Sequence, residues 1–139
     1  MPQIRGTEAA GETSLRRLHV FNGGFVTNRP LRRMLRAMGY RAVLGRPGAE
    51  DLIGIWGQSP TAWRGHAMAE KSGAARLFVE DAFLRSVLPG RADRRAVPLG
   101  LCLDHAGPHF EAATPSDLET LLTAAPLDDT ALLNRARDA

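Results

Sequence analysis

The sequence predicts an α/β fold, a Rossmann-like three-layer sandwich built on a mainly parallel sheet, and three observations predict it. Short, near-continuous apolar runs recur along the chain, as strands buried on both faces require. Between them lie segments with helix-start residues and 3.6-residue periodicity. With 139 residues, 44% of them hydrophobic and 24% charged, the chain holds one domain's worth of core.

The elements follow in order. Residues 1–15, rich in Gly, Glu, Thr and Ala without periodicity, predict a flexible tail, leaving 16–139 as the folded domain. LHVFN (18–22) reads as a buried strand and Gly23-Gly24 as the loop after it. Asn28 and Pro30 open a helix whose Leu31, Met34, Leu35 and Met38 share one face, and Gly39 closes it. RAVLG (41–45) and LIGIWG (52–57) are the next strands. Ser59-Pro60 predicts an N-cap with proline in the first turn, for a helix ending near Ser72-Gly73. ARLFVED (75–81) is a further strand. PLGLCLD (98–104) and PHFEA (108–112), either side of His105-Ala106-Gly107, predict a β-hairpin. Thr114-Pro115-Ser116-Asp117 starts a third helix, with Asp117 placed for a capping-box-like contact, and a last helix runs from about Asp128. That helix reaches RARDA at residue 139 without a stop signal, as though the domain were truncated there.

Charge and cysteine content narrow the function classes. The net charge of +3 comes from 18 basic residues, of which only Lys71 is a lysine. RPLRRMLR and GRADRR are clusters, but acids are interspersed and aromatics make up only 6%, which argues against a nucleic-acid partner. The RRMLR helix face reads instead as a solvated or lipid-facing basic surface. No run of about eighteen apolar residues is present, and MPQIRGTEAAGETS lacks the apolar core of a signal peptide, so a cytoplasmic location is expected. Cys102, the lone cysteine, reads as a core filler.

Open α/β sheets bind ligands at the carboxyl ends of their strands. Three such ends carry small, polar or aromatic residues: Asn22-Gly23-Gly24, Trp56-Gly57, and Glu80-Asp81 with Arg85 close behind. From spacing alone, the plainer role for Glu80 and Asp81 is to pair with Arg85 or cap the following turn. His19 reads as a packed core imidazole and His66 as a surface residue. Trp56 and Trp63 are candidates either for packing or for stacking on a sugar or base. His105 and His109, with Asp104 and Glu111, lack a defensible ligand spacing, so no metal site is expected.

EDAFLRS (80–86), followed by PLGLCLDHAGPHFEAATPSDLETLL (98–122), resembles the capsule polysaccharide biosynthesis and export proteins of the KpsC type. Those proteins carry a segment close to E-D-G-F-x-R-S ahead of P-L-S-L-V-x-D-D-x-G-x-Y-Y-D-A-x-x-P-S-x-L-E. Their upstream W-G-x-x-P is matched by Trp56, Gly57 and Pro60. The resemblance spans roughly residues 18 to 139. It implies the N-terminal, acceptor-side half of a GT-B-like retaining β-Kdo transferase, which builds an oligo-Kdo linker on a lipid from CMP-Kdo. It places catalytic roles on Glu80, Asp81 and Arg85, and substrate contacts on Trp56, Gly57, Ser86 and Asp104. The implied partners are CMP-Kdo, a lipid-linked Kdo acceptor and other capsule assembly proteins, at the inner face of the inner membrane. No cofactor is implied.

The sequence departs from the family pattern at Ala82, where many members have glycine, and at His105, Phe110 and Glu111. The family's aspartate nucleophile belongs to a motif downstream of the matched region, so the chain alone is expected to be inactive. The alternatives are a non-catalytic binding module of the capsule machinery and, from another class, a basic nucleic-acid binder.

Overall fold

A computed structural model describes residues 14–82, 99–108, 110, 113–126 and 128–138. Five strands form one sheet in the order β2-β1-β3-β4-β5. They are β1 (Arg16–Val20), β2 (Tyr40–Val43), β3 (Leu52–Trp56), β4 (Ala75–Asp81) and β5 (Leu101–Asp104). β1 pairs in parallel with β2 and β3, and β3 with β4, whereas β4 and β5 are antiparallel. The predicted mainly parallel α/β sheet is therefore present.

Side chains alternate between the two faces of a strand, and two apolar clusters follow from that alternation. On one face Leu18, Val20, Leu52, Leu77 and Val79 are buried with Phe25 of α1 (Gly23–Thr27) and with Leu31 and Leu35 of α2 (Arg29–Ala37). On the other, Ile53, Ile55 and Phe78 pack with Ala69 of α3 (Ala62–Ser72). Helix, sheet and helix make the three layers. Gly65 lets α3 settle close on the sheet, since a Cβ there would stand 3.0 Å from the Ile55 side chain.

The local signals acted mostly as read. The Asn28 side chain accepts from the Leu31 N–H at 3.0 Å and starts α2, and Gly39, at φ 89°, follows its end. α3 ends on Gly73 at φ 72°. Four details differ. Gly23-Gly24 is the start of the short helix α1 rather than a loop, because Asn22 caps it by accepting from the Gly24 N–H at 2.8 Å. Ser59 does not cap α3, whose N-cap is Thr61 without a side-chain bond. The capping box of α4 (Asp117–Ala124) is made by Ser116 and Glu119, leaving the Asp117 carboxylate to accept from the His105 N–H at 2.7 Å. Finally, the antiparallel partner of β5 is β4, not a strand at 108–112. Pro108 and Phe110 are not in strand, and residues 109, 111 and 112 lie outside the described residues. The last helix, α5, spans Thr130–Asp138. The proposed tail falls almost wholly outside the described residues, as do Arg85 and Ser86.

His19 is buried in β1, as expected of a core imidazole, with Nε2 3.4 Å from the Asp51 carboxylate. Asp51 also accepts from the Gly48 N–H at 2.8 Å and from the Arg17 guanidinium at 2.8 Å. The Gly48 amide draws the Asp51 carboxyl below the usual carboxylate range against the upward push of desolvation, and Arg17 and His19 add to the lowering. This cluster ties β1 to the start of β3, at the end of the sheet opposite the strand carboxyl termini.

Candidate functional site

The sheet order makes a topological switch beside β1: the chain leaves β1 toward β2 on one side and returns to β3 on the other. At such a point the loops diverge and leave a crevice at the strand carboxyl ends. Here the crevice is crossed by one hydrogen bond. Asn22, just after β1, donates from Nδ2 to the Ser59 hydroxyl, just after β3, at 3.0 Å. A small void below this bond is lined by Phe21, Asn22, Trp56 and Gly65 among others. The Ser59 N–H donates to the Trp56 carbonyl at 3.0 Å, which holds the Trp56–Ser59 turn closed. Trp56 itself is half-buried, edge-on to Phe25 with ring centroids 5.7 Å apart. Packing therefore accounts for most of this indole.

Gly57 and Glu80 define the next wall. Gly57 has φ +35°, a left-handed conformation, and lies directly against the Glu80 carboxylate. A Cβ at residue 57 would run into Glu80 Oε1 and stand 2.6 Å from its carboxyl carbon. The left-handed backbone favours glycine here, and any side chain would also force the Glu80 carboxylate to swing away. The Trp56 loop and the Glu80 carboxylate thus form one surface at the carboxyl ends of β3 and β4.

Strand alternation divides the acidic pair. Glu80 lies cross-strand from Cys102 and projects on the Phe78 side, toward the α3 layer, while Asp81 lies opposite Leu101 on the Val79 side. The two carboxylates cannot address one substrate atom from the same face. Ala82 continues the ladder by donating its N–H to the Gly100 carbonyl at 3.1 Å. Among the described residues no non-glycine has positive φ, so Ala82 adopts a backbone conformation open to any L residue.

Asp104, expected from the resemblance to contact substrate, is held by backbone amides. It is 3% exposed. One carboxylate oxygen accepts from the Ala106 and Gly107 N–H groups, both at 2.9 Å, and the other from the Leu118 N–H at 3.2 Å. Burial pushes this carboxyl up, but the amides of Gly107, Asp117, Leu118 and Ala106 outweigh it and hold it below the usual range. Asp104 pins the start of α4 and the 105–107 turn to the edge of the sheet. Burial pushes the neighbouring Cys102 thiol up, and the Asp104 and Glu80 carboxylates add to the effect. Cys102 is expected to react with a disulfide reagent more slowly at pH 7.5 than a free thiol, and rate measurement across pH 7 to 10 checks this.

The depressed carboxyls predict the pH response. Because Asp51 and Asp104 have folded pKa values below their unfolded ones, the stability they contribute is fully present well above about pH 4. It is lost as pH falls through the folded values. The urea midpoint should therefore drop between pH 5 and 3, and Asp104→Asn should flatten that drop.

Sequence reasoning named Asn22 only as part of a strand end and Ser59 only as a helix cap, and it did not foresee the bond between them. Their signal was present, since a polar residue follows each of two adjacent strands, but Ser59-Pro60 also matched a helix cap. Trp63, in the first turn of α3, is 64% exposed, with the Arg64 guanidinium 5.5 Å from its ring centre. His66 is half-buried against the Phe78 ring. Among the described residues no group of three His, Cys, Asp or Glu side chains is placed to hold a metal, and His109 and Glu111 lie outside them.

A mainly parallel sheet with a crevice at its switch point, bordered here by an amide, a hydroxyl and a carboxylate, is the place where open α/β sheets bind ligands. That class of protein narrows on comparison with known proteins. Residues 50–136 match the capsule polysaccharide biosynthesis protein family, and the chain belongs to that family. It is 34% identical over 92 residues to the capsule polysaccharide modification protein LipA of Neisseria meningitidis serogroup A, covering 66% of this chain and 13% of the relative. It is 41% identical over 70 residues to the lipopolysaccharide-processing protein LpsZ of Rhizobium meliloti, covering 50% of this chain and 16% of the relative. Among solved structures, Thermosulfurimonas dismutans KpsC, a β-Kdo 2,4 transferase, superposes with a TM-score of 0.71 at 28% identity. The match covers 90% of this chain and 38% of that one. The chain thus spans a minor part of each of these relatives.

Proposed function

We propose that this chain forms the acceptor-side wall of the active-site cleft of a retaining β-Kdo transferase in capsule polysaccharide biosynthesis. One observation carries the reading: the Glu80 carboxylate lies against the Trp56–Gly57 turn at the strand carboxyl ends, in a fold that superposes on part of a β-Kdo transferase. The chemistry fits. A carboxylate at this position can accept the proton of an acceptor hydroxyl as it attacks the glycosyl-enzyme intermediate and displaces the nucleophilic carboxylate. An arginine following it, as Arg85 does in sequence, suits the carboxylate of a sugar acid through a bidentate contact. Ser86 would steady that turn or bind a hydroxyl, and Trp63 offers an exposed ring for a sugar face. Asp81 serves the opposite side of the sheet, and Asp104 acts as a positioning residue for α4.

CMP-Kdo is the donor and a Kdo-primed lipid the acceptor in this reading, with the protein at the inner face of the inner membrane. The aspartate nucleophile and most donor contacts would come from a region this chain does not include. Incubation of the chain with CMP-Kdo and a Kdo-primed lipid should give no product. Time- and protein-dependent product would contradict the division of labour proposed here.

One observation favours a second reading, a non-catalytic docking module of the capsule machinery. Leu121, Leu122, Leu132 and Leu133 surround an apolar cavity of about 230 Å³ between α4 and α5, and all four are exposed. A chain that docks on a transferase yet binds no Kdo acceptor would fit that reading and not the first.

A further inference from the structure

The outer face of α2 carries Arg29, Arg32, Arg33 and Arg36, at i, i+3, i+4 and i+7. This places all four guanidinium groups on one stripe, directly opposite the buried Leu31 and Leu35. Arg41, on the edge strand β2, faces the same space. Together with Ala42 the five arginines line an open groove of about 490 Å³. All five are exposed, and among the described residues none of them is in an ion pair.

This arrangement is electrostatically unfavourable in the free chain. Like charges at i, i+3 and i+4 repel, and the first turn of α2, where the helix dipole is positive, carries no acid. An anionic surface laid along the stripe would relieve both terms at once. We propose that the α2–β2 arginine face docks on the anionic headgroups of a phospholipid bilayer.

Three features favour a bilayer over other polyanions. Among the described residues no aromatic side chain lines the groove, so they offer no stacking platform of the kind single-stranded nucleic-acid binders use. The stripe is only about 10 Å long on a rigid helix, and its apolar side is sealed in the core, which suits adsorption rather than helix insertion. Exposed apolar residues follow both arginine-bearing elements, Met38 after α2 and Leu44 after β2, where they can dip below a headgroup plane. No helix among the described residues is long and apolar enough to cross a membrane. α2 begins at the crevice end of the sheet, so a bilayer on this face would present a lipid-linked acceptor to the crevice. That last consequence rests on the proposed transferase function; the docking itself does not.

The test is vesicle co-sedimentation of the full 139-residue chain at 0.1 M salt. Vesicles of phosphatidylcholine alone are compared with vesicles containing about one-third phosphatidylglycerol. Binding is expected only to the anionic vesicles, and it should fall steeply as salt rises toward 0.5 M. Each arginine near an anionic surface is worth roughly fivefold in partitioning, so Arg32→Gln/Arg33→Gln/Arg36→Gln should lose about 100-fold. Arg135→Gln/Arg137→Gln on α5 should bind within twofold of the parent. Far-UV circular dichroism confirms that the variants are folded. Should the triple variant fail that check, Arg33→Gln and Arg41→Gln alone, each expected to lose about fivefold, carry the test. Equal binding to neutral vesicles, or equal loss in the α5 variant, would overturn the proposal. So would tighter binding to a duplex oligonucleotide than to anionic vesicles, which would make this a nucleic-acid face. Full competition by millimolar glycerol phosphate would show a pocket for small phosphates instead.

Discussion

Asp104→Ala is expected to destabilise the chain by about 3 kcal/mol, the largest single-site effect on the described surface of the sheet edge. Asp104 is 3% exposed, and its carboxylate accepts from the backbone of Ala106, Gly107 and Leu118. Hydrogen bonds to an ionised acceptor contribute about 1.5–3 kcal/mol each before partial replacement by water, and several are lost together. Asp104→Asn should cost less. Its oxygen can still serve the 105–107 turn, but its amide group would face the Leu118 N–H, donor against donor. Urea unfolding monitored by circular dichroism gives both values. A cost under about 0.5 kcal/mol for the alanine variant would mean that α4 is held by other contacts.

Gly57→Ala is expected to cost about 2 kcal/mol and, more tellingly, to move Glu80. The left-handed backbone at φ +35° alone costs a non-glycine residue about 1–2 kcal/mol. The added methyl would also occupy space held by the Glu80 carboxylate, which must swing away. In a transferase containing this segment, the same change should lower kcat through the displaced carboxylate. Glu80→Ala made together with Gly57→Ala should recover part of the stability but none of the activity. A double variant no more stable than Gly57→Ala would show that the two residues do not share this contact.

Much of the fold was legible because local and global signals agreed. The apolar runs LHV, LIGI and LFV became β1, β3 and β4, since each is buried between two helical layers. Asn28 with Pro30, and Gly73, marked helix ends through backbone chemistry that does not depend on distant residues. The errors arose where tertiary contacts took over a side chain that also had a local use. Ser59 looked like a cap and was taken by Asn22 from another strand end. Asp117 looked like a capping residue and was taken by the His105 amide. Among the described residues the antiparallel pair is β4 with β5 rather than the hairpin expected within 98–112, and no local pattern announces a pairing across so long a connection.

The candidate site divides in the same way. That strand carboxyl ends would carry it follows from parallel topology, so Trp56, Gly57 and Glu80 could be named from sequence. Their contact could not, because it depends on the register Trp56 with Val79, which brings Gly57 beside Glu80. The alternation that sends Glu80 and Asp81 to opposite faces was available in the sequence, once ARLFVED was read as a strand. The backbone contacts of Asp104 were not, since only the fold assembles them.

The central claim is that the crevice bordered by Asn22, Gly57, Ser59 and Glu80 receives the Kdo-bearing acceptor. Its most direct test is amide chemical-shift mapping of the chain by NMR during titration with a soluble Kdo disaccharide. The account predicts saturable shifts concentrated at Gly23, Gly24, Gly57, Ser59 and Glu80, abolished by Gly57→Ala, with Asp51 and His19 at the far end of the sheet unmoved. Shifts confined to that far end or to α4 and α5, or no saturable shift at millimolar ligand, would contradict it.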